Sequence, residues 1–245
     1  MDSLFQETLS ALEIAFRALE KQVPAPRQVP FKDSFVFRYV EQTAQPALIQ
    51  KLVSGLHATR LLLDQGFVQE EAVLARTLDD FQEDILFLTP GLTVDKLSDL
   101  HQRYLSVFYE EEFDKPDAVS STQKRPMIPR KKIRAYVAQI QGVTDNPSLA
   151  IEVSRTLDKA FSGFVHGASP QIMDMYGGIP PKFRISGMLG TRRIEEHRAD
   201  LLNYFYRGIM SFILVAIAFR DENLVASLLQ FKNNFEAEAG VSRLL

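Results

Sequence analysis

Cysteine and tryptophan are both absent from this chain of 245 residues. Without cysteine there are no disulfide bridges, no thiolate metal sites and no cysteine nucleophile. Histidine is scarce as well, with four residues and no two of them four positions apart, so the usual helical zinc pattern is missing. The sequence therefore predicts neither a bound metal nor a cofactor.

Neither a large excess of positive charge nor a long hydrophobic run is present. The 28 Lys and Arg residues stand against 31 Asp and Glu, which argues against a generally basic nucleic-acid-binding protein. The longest apolar stretch, 209–219, would span about 16 Å as a helix, roughly half of a bilayer core. It predicts a buried helix rather than a membrane span. The acidic N-terminus lacks the basic start of a signal peptide, so we expect a cytoplasmic protein without membrane contact.

The hydrophobic periodicity is helical almost everywhere. The first stripe recurs at alternating spacings of four and three residues, at Phe5, Leu9, Leu12, Phe16 and Leu19. Further helices are predicted over 46–64, 68–88, 94–113, 130–141, 147–166, 192–219 and 221–238, with 46–64 and 68–88 forming an antiparallel hairpin around Gly66. The fold class is therefore an all-α, antiparallel helical bundle of seven to nine helices.

Three stretches interrupt the helical pattern. The proline-rich connector after the first helix sets residues 1–31 apart as an N-terminal extension of a single helical domain, 32–245. Residues 35–40 have the composition of a strand but neither alternation nor a partner nearby, which favours a helix or a buried loop. The long irregular stretch 167–190 is of a length that is usually functional or mobile.

Four carboxylates lie within one and a half helical turns, at Asp79, Asp80, Glu83 and Asp84. A metal site in a helical bundle would require Glu-x-x-His pairs, which the chain lacks. The pattern therefore favours a solvated helix face, on which Arg76 and Asp80 form an i,i+4 ion pair.

A basic tract places six cations in eleven residues: Lys124, Arg125, Arg130, Lys131, Lys132 and Arg134. Such a tract can hold phosphates by charge attraction. It can equally be a solvated surface that balances the acidic run 110–112, and both interpretations stay open.

Arg192 and His197 are near neighbours at the start of a predicted helix. A permanent cation can stabilise charge on a phosphorane-like transition state while a histidine transfers the proton, so the pair could cleave RNA without metal. The alternative is an exposed helix start.

His166 ends a helix beside apolar residues. It predicts a buried polar network with Ser162 if Arg76 or Asp80 points inward, and such a network must be fully paired. Alternatively, 167–190 could form a lid over a small ligand held by Ser162, His166 and Tyr176.

The tract 60–66, followed by Glu71-Ala72 and by 76–80, resembles the helical hairpin of an uncharacterised bacterial all-α family, and Ser162 to His166 resembles its Ser-x-x-x-His helix end. That family is similar to the HEPN superfamily (higher eukaryotes and prokaryotes nucleotide-binding). The resemblance covers 48–219 and implies an all-α bundle that dimerises. Arg192 and His197 match in spacing the Arg-x4–6-His motif of the metal-independent RNases in that superfamily, although Arg193 replaces its small polar residue and Asp80 its hairpin glutamate.

Three functions follow as hypotheses. The first is a dimerising binding or assembly module that is HEPN-like and takes a partner or a nucleotide. The second is a metal-independent endoribonuclease of a toxin or defence system, with RNA held by the basic tract and cleaved by Arg192 and His197. The third is a small-ligand-binding helical bundle.

Overall fold

The computed structural model describes residues 1–31, 33–111, 119–121, 127–140, 152, 156, 159 and 161–240. Its helices within these ranges are α1 (Asp2–Glu20), α2 (Ala44–Leu48), α3 (Leu52–Asp64), α4 (Val68–Thr93), α5 (Asp99–Phe108), α6 (Arg130–Val137), α7 (Ser169–Met173), α8 (Arg192–Ala218) and α9 (Glu222–Ala239). Residues 161–165 are helical too. The predicted all-α class is confirmed.

The core forms where α4 and α8 pack against each other, with α1, α3 and α9 around them. Its largest fully buried side chains include Phe5, Phe87, Phe205 and Phe235. The rings of Phe5 and Phe205 meet with centroids 4.6 Å apart, so the first helix joins the longest one directly.

Helix α1 belongs to this core. Its predicted stripe is buried at Phe5, Leu9, Leu12 and Leu19, and the helix contacts α3, α8 and α9. The proline-rich connector after α1 therefore does not separate it from the rest, and the interpretation of α1 as an extension was wrong. An amphipathic helix can bury its stripe on a neighbour as readily as in a separate unit.

Two small antiparallel ribbons accompany the helices. β1 (Arg27–Phe31) pairs with β2 (Ser34–Arg38), and β3 (Tyr176–Gly177) pairs with β4 (Lys182–Phe183). The prediction of a helix or buried loop over 35–40 was wrong, because the connector itself provides the partner strand and places Val29 opposite Val36.

The hairpin of α3 and α4 is confirmed, with Gly66 in the left-handed conformation (φ 83°) that a side chain would disfavour. Helix α4 continues five residues beyond the predicted end at 88 and includes Pro90. Helix α5 begins at Asp99 rather than at 94, because Ser98 accepts a hydrogen bond from the His101 amide while the His101 ring accepts one from the Ser98 amide.

Helix α8 contains the predicted apolar run. By length and composition alone it is long and apolar enough to cross a membrane, but 72% of its most apolar window is buried inside the protein. Core helices of this kind pass the same test of length and composition, so the burial agrees with the prediction of a buried helix.

Candidate functional site

The carboxylates of α4 are tied to arginines instead of lying on a solvated face. Asp84 is buried and accepts two hydrogen bonds from Arg130, at 2.5 and 3.1 Å. Arg130 also lies 3.2 Å from Asp80, which pairs with Arg76 at 2.6 Å, the predicted i,i+4 contact. The prediction of a solvated face was therefore wrong, since this side of α4 is covered by α6.

Helix α6 supplies the covering arginines from the basic tract. Arg134 forms an ion pair with Glu83 at 2.8 Å, one turn away from the pair of Arg130 and Asp84. Lys131 and Lys132 are exposed, and Lys124 and Arg125 lie outside the described residues. The two arginines are thus engaged within the protein rather than presented to phosphates.

Burial shifts the pKa of two groups in this network. It raises the pKa of Asp84, although the hydrogen bonds from Arg130 oppose the shift. Burial also raises the pKa of the Tyr104 hydroxyl, and the neighbouring Asp84 carboxylate raises it further, so this hydroxyl stays protonated as a donor. Because its ion pairs join α4 to α6, the network acts as a structural clamp between these two helices.

The side chains of Arg192 and His197 point to different surroundings. The His197 ring is buried, with Nδ1 2.8 Å from a Glu71 carboxylate oxygen, and Phe164 meets the ring edge-on at 6.0 Å. The side chain of Arg192 is 91% exposed and pairs with Glu196 at 2.9 Å. A pair that shares a reacting phosphate must face one cleft, and these two side chains do not.

Glu71 is a buried acid of this site that the sequence patterns did not predict as a site residue. Only 2% of it is exposed, and burial raises its pKa, although the hydrogen bond from His197 opposes the shift. Burial raises the pKa of the nearby Asp200 as well. No local signal could have identified the pair of Glu71 and His197, because they are 126 residues apart.

The raised pKa of Glu71 leads to a testable pH dependence. Between the ordinary glutamate pKa and the raised one, the folded protein binds more protons than the unfolded chain, so the free energy of unfolding falls as pH rises. We expect Glu71→Gln to weaken this fall, while Asp84 and Asp200 retain part of it. Urea unfolding across pH 4 to 7 measures the slope. The control is Glu70→Gln, at the exposed neighbouring position; equal slopes in both variants would contradict the prediction.

The prediction that His166 belongs to a buried polar network was wrong. His166 is exposed and Ser162 is half-buried, whereas Arg76 pairs with Asp80, and Asp80 also pairs with Arg130 of α6. His197 takes the buried position that the prediction assigned to His166, because the stripe of α8 faces α4.

The stretch 167–190 is ordered and attached at several points. The Met188 amide donates to the Gly66 carbonyl at 2.7 Å, and a Cβ on Gly187 would approach the Gln65 carbonyl to 2.6 Å, so the backbones touch. Gln69 donates to the Gln171 carbonyl at 2.7 Å. Instead of a free lid, the stretch forms a fixed cover over the turn between α3 and α4.

An apolar surface runs along this stretch. Of the nineteen large apolar side chains that are exposed among the described residues, eight fall within 165–189. They are Val165, Ile172, Met173, Tyr176, Ile179, Phe183, Ile185 and Leu189. We call this set the hairpin surface, after the β3–β4 hairpin within it and not the helical hairpin of α3 and α4. The signal in the sequence is the presence of these apolar residues within an irregular stretch, since connecting segments run over the protein surface.

A cavity of about 440 Å³ opens beside the hairpin surface at the start of α8. Tyr176 and three arginines (Arg184, Arg192, Arg193) contribute to its lining, but Ser162 and His166 do not. Arg193 is held by Asp174 at 2.5 Å and by Glu196 at 2.8 Å. The prediction of a ligand site formed by Ser162, His166 and Tyr176 was therefore wrong, because only Tyr176 of these three lines this cavity.

No group of three or more His, Asp or Glu side chains within the described ranges is arranged to hold a metal ion. The comparisons then leave the family open: the chain matches no protein-family model, no curated protein and no solved structure, so the resemblance to the HEPN superfamily stays a prediction.

Proposed function

We propose that the protein is a binding and assembly module that forms a homodimer through the hairpin surface. The single observation that carries the proposal is the concentration of exposed apolar side chains within 165–189. Scattered exposed apolar side chains are ordinary on a folded protein, whereas their concentration in one segment is typical of an interaction site.

The hairpin surface is built to be rigid. The rings of Tyr176 and Phe183 pack across the β3–β4 ribbon at 4.9 Å, and the Arg184 amide donates to the Met175 carbonyl at 2.9 Å. Met188 is buried in the core and anchors the end of the stretch. The apolar side chains of the hairpin surface are therefore positioned before a partner binds. Preorganisation of this kind reduces the entropy that association costs.

A second copy of the chain suits this surface best. A two-fold dimer places the same patch on both subunits, and an apolar patch is its own complement because apolar contact requires no matching charge. The resemblance to the HEPN superfamily implies dimerisation as well. Catalysis by Arg192 and His197 receives no support from the geometry, because His197 is buried against Glu71.

Charge placed in the hairpin surface tests the proposal. Ile179 is fully exposed and Ile185 is 77% exposed, so Ile179→Asp with Ile185→Asp leaves the core intact. Because each copy would lose two buried aliphatic contacts, we expect the dimer to weaken by about 100-fold or more. Sedimentation equilibrium over the micromolar range measures the dissociation constant.

The matched control is Val40→Asp with Val94→Asp, which adds the same two charges at exposed aliphatic positions, one after β2 and one at the end of α4. Circular dichroism confirms that each variant is folded. A wild-type chain that stays monomeric throughout the range would overturn the proposal. So would a dimer that the hairpin variants and the control affect equally.

A further inference from the structure

A groove of about 970 Å³ lies between α1 and α3, on a different part of the molecule from the hairpin surface. Its apolar lining comes from Ile14, Phe16, Ile49 and Val53. Ile14 is 71% exposed, whereas the leucines of the same helix are buried. A volume of this size is typical of sites for small molecules.

The two helices that form the groove run antiparallel. Gln6 of α1 accepts a hydrogen bond from Arg60 of α3 at 3.0 Å, and Glu13 lies 2.5 Å from the His57 ring. Later residues of α1 therefore contact earlier residues of α3. Lys21 and Lys51, which both line the groove, consequently lie at the same end.

Charge is distributed unequally between the two ends. At one end Glu13 and His57 pair with each other. At the other end Arg17 pairs with Glu20 at 2.8 Å, whereas Lys21 and Lys51 form no ion pair with any residue in the described ranges. The groove is thus an apolar channel with uncompensated positive charge at one end only.

We propose that this groove binds an alkyl carboxylate of the fatty-acid type, with the chain against Ile14 and Val53 and the carboxylate between Lys21 and Lys51. Lysine suits this role, since its flexible stem lies along apolar surface while its ammonium group reaches an anion. The distance from Glu13 to Lys21 along α1 is about 12 Å, enough for a medium-length chain. An acidic amphipathic helix fits less well, because its acids would need cations along the whole groove.

Calorimetric titration of the whole protein with dodecanoate, below the concentration at which it forms micelles, tests the proposal. We expect one molecule per chain. Affinity should rise by about fourfold for each methylene from octanoate to dodecanoate, the gain for burying one methylene. Dodecanol and dodecyltrimethylammonium, which share the chain but lack the negative charge, should bind more weakly.

Two sets of variants locate the site. Lys21→Gln with Lys51→Gln should weaken dodecanoate binding by about three- to tenfold, the range for partly exposed charge pairs. Lys131→Gln with Lys132→Gln removes the same charge from the exposed side of α6 and should leave binding unchanged. Ile14→Asn replaces the most exposed apolar residue of the lining without changing the core, and it should also weaken binding.

Several outcomes would overturn the proposal. They are equal affinity for dodecanol and dodecanoate, no dependence on chain length, many molecules bound per chain, or equal effects of both lysine pairs. Binding of a designed acidic amphipathic helix in the groove, with none of dodecanoate, would assign the groove to a peptide partner instead.

Discussion

Leu12→Ala is expected to lower the free energy of unfolding by about 2–5 kcal/mol, the range for truncating a fully buried leucine. Leu12 is 0% exposed and lies in the single core that α1 shares with α3, α8 and α9. Urea denaturation followed by circular dichroism measures the loss. An effect of this size follows only if α1 is an integral helix of the bundle.

The control for Leu12→Ala lies two residues away on the same helix. Ile14 is 71% exposed, so Ile14→Ala should change stability by less than about 0.5 kcal/mol. Both variants remove part of an aliphatic side chain from α1, and their helix propensities change in the same direction. Similar small losses for the two would contradict the packing of α1 and restore its interpretation as an extension.

The second large effect is expected at the clamp between α4 and α6. Asp84→Ala should lower the free energy of unfolding by about 3 kcal/mol, because it removes the two hydrogen bonds that the partly buried guanidinium of Arg130 donates to Asp84. Equilibrium unfolding in urea at neutral pH measures the change, and hydrogen exchange in α6 should accelerate.

An exposed ion pair provides the comparison for this clamp. Glu20→Ala breaks the contact of Glu20 with Arg17, whose side chains are 48% and 70% exposed, and should cost at most about 1 kcal/mol. If Asp84→Ala were as mild as Glu20→Ala, the arginines of α6 would be held weakly, and a role of the basic tract in phosphate binding would regain support.

Local patterns predicted the long helices well, but they did not predict the five-residue helices α2 and α7 as separate elements. The spacing of the apolar residues in α1 and α3, and Gly66 between α3 and α4, depend on interactions within a few residues, so the sequence displays them directly. The β1–β2 ribbon was missed because its strands carry no alternating pattern and one contains Pro30.

Interactions between distant residues could not be predicted in the same way. Glu71 contacts His197, which is 126 residues away in the sequence, and Asp84 contacts Arg130, which is 46 residues away. The patterns of the sequence show that these groups are charged but not which helix faces which. For this reason His166 was assigned a position that His197 occupies, and the acids of α4 were assigned to solvent.

The distribution of carboxylates around α4 has a consequence for how the helices are aligned. Glu71 and Asp79 bind partners on α8, while Glu83 and Asp84 bind partners on α6. Moving α4 by a single residue would shift it about 1.5 Å along its axis and rotate it about 100°, which would separate all four pairs at once. Hydrophobic packing tolerates several alignments, whereas four directional contacts on two sides permit one. These acids therefore fix the register of α4 relative to α8 and α6.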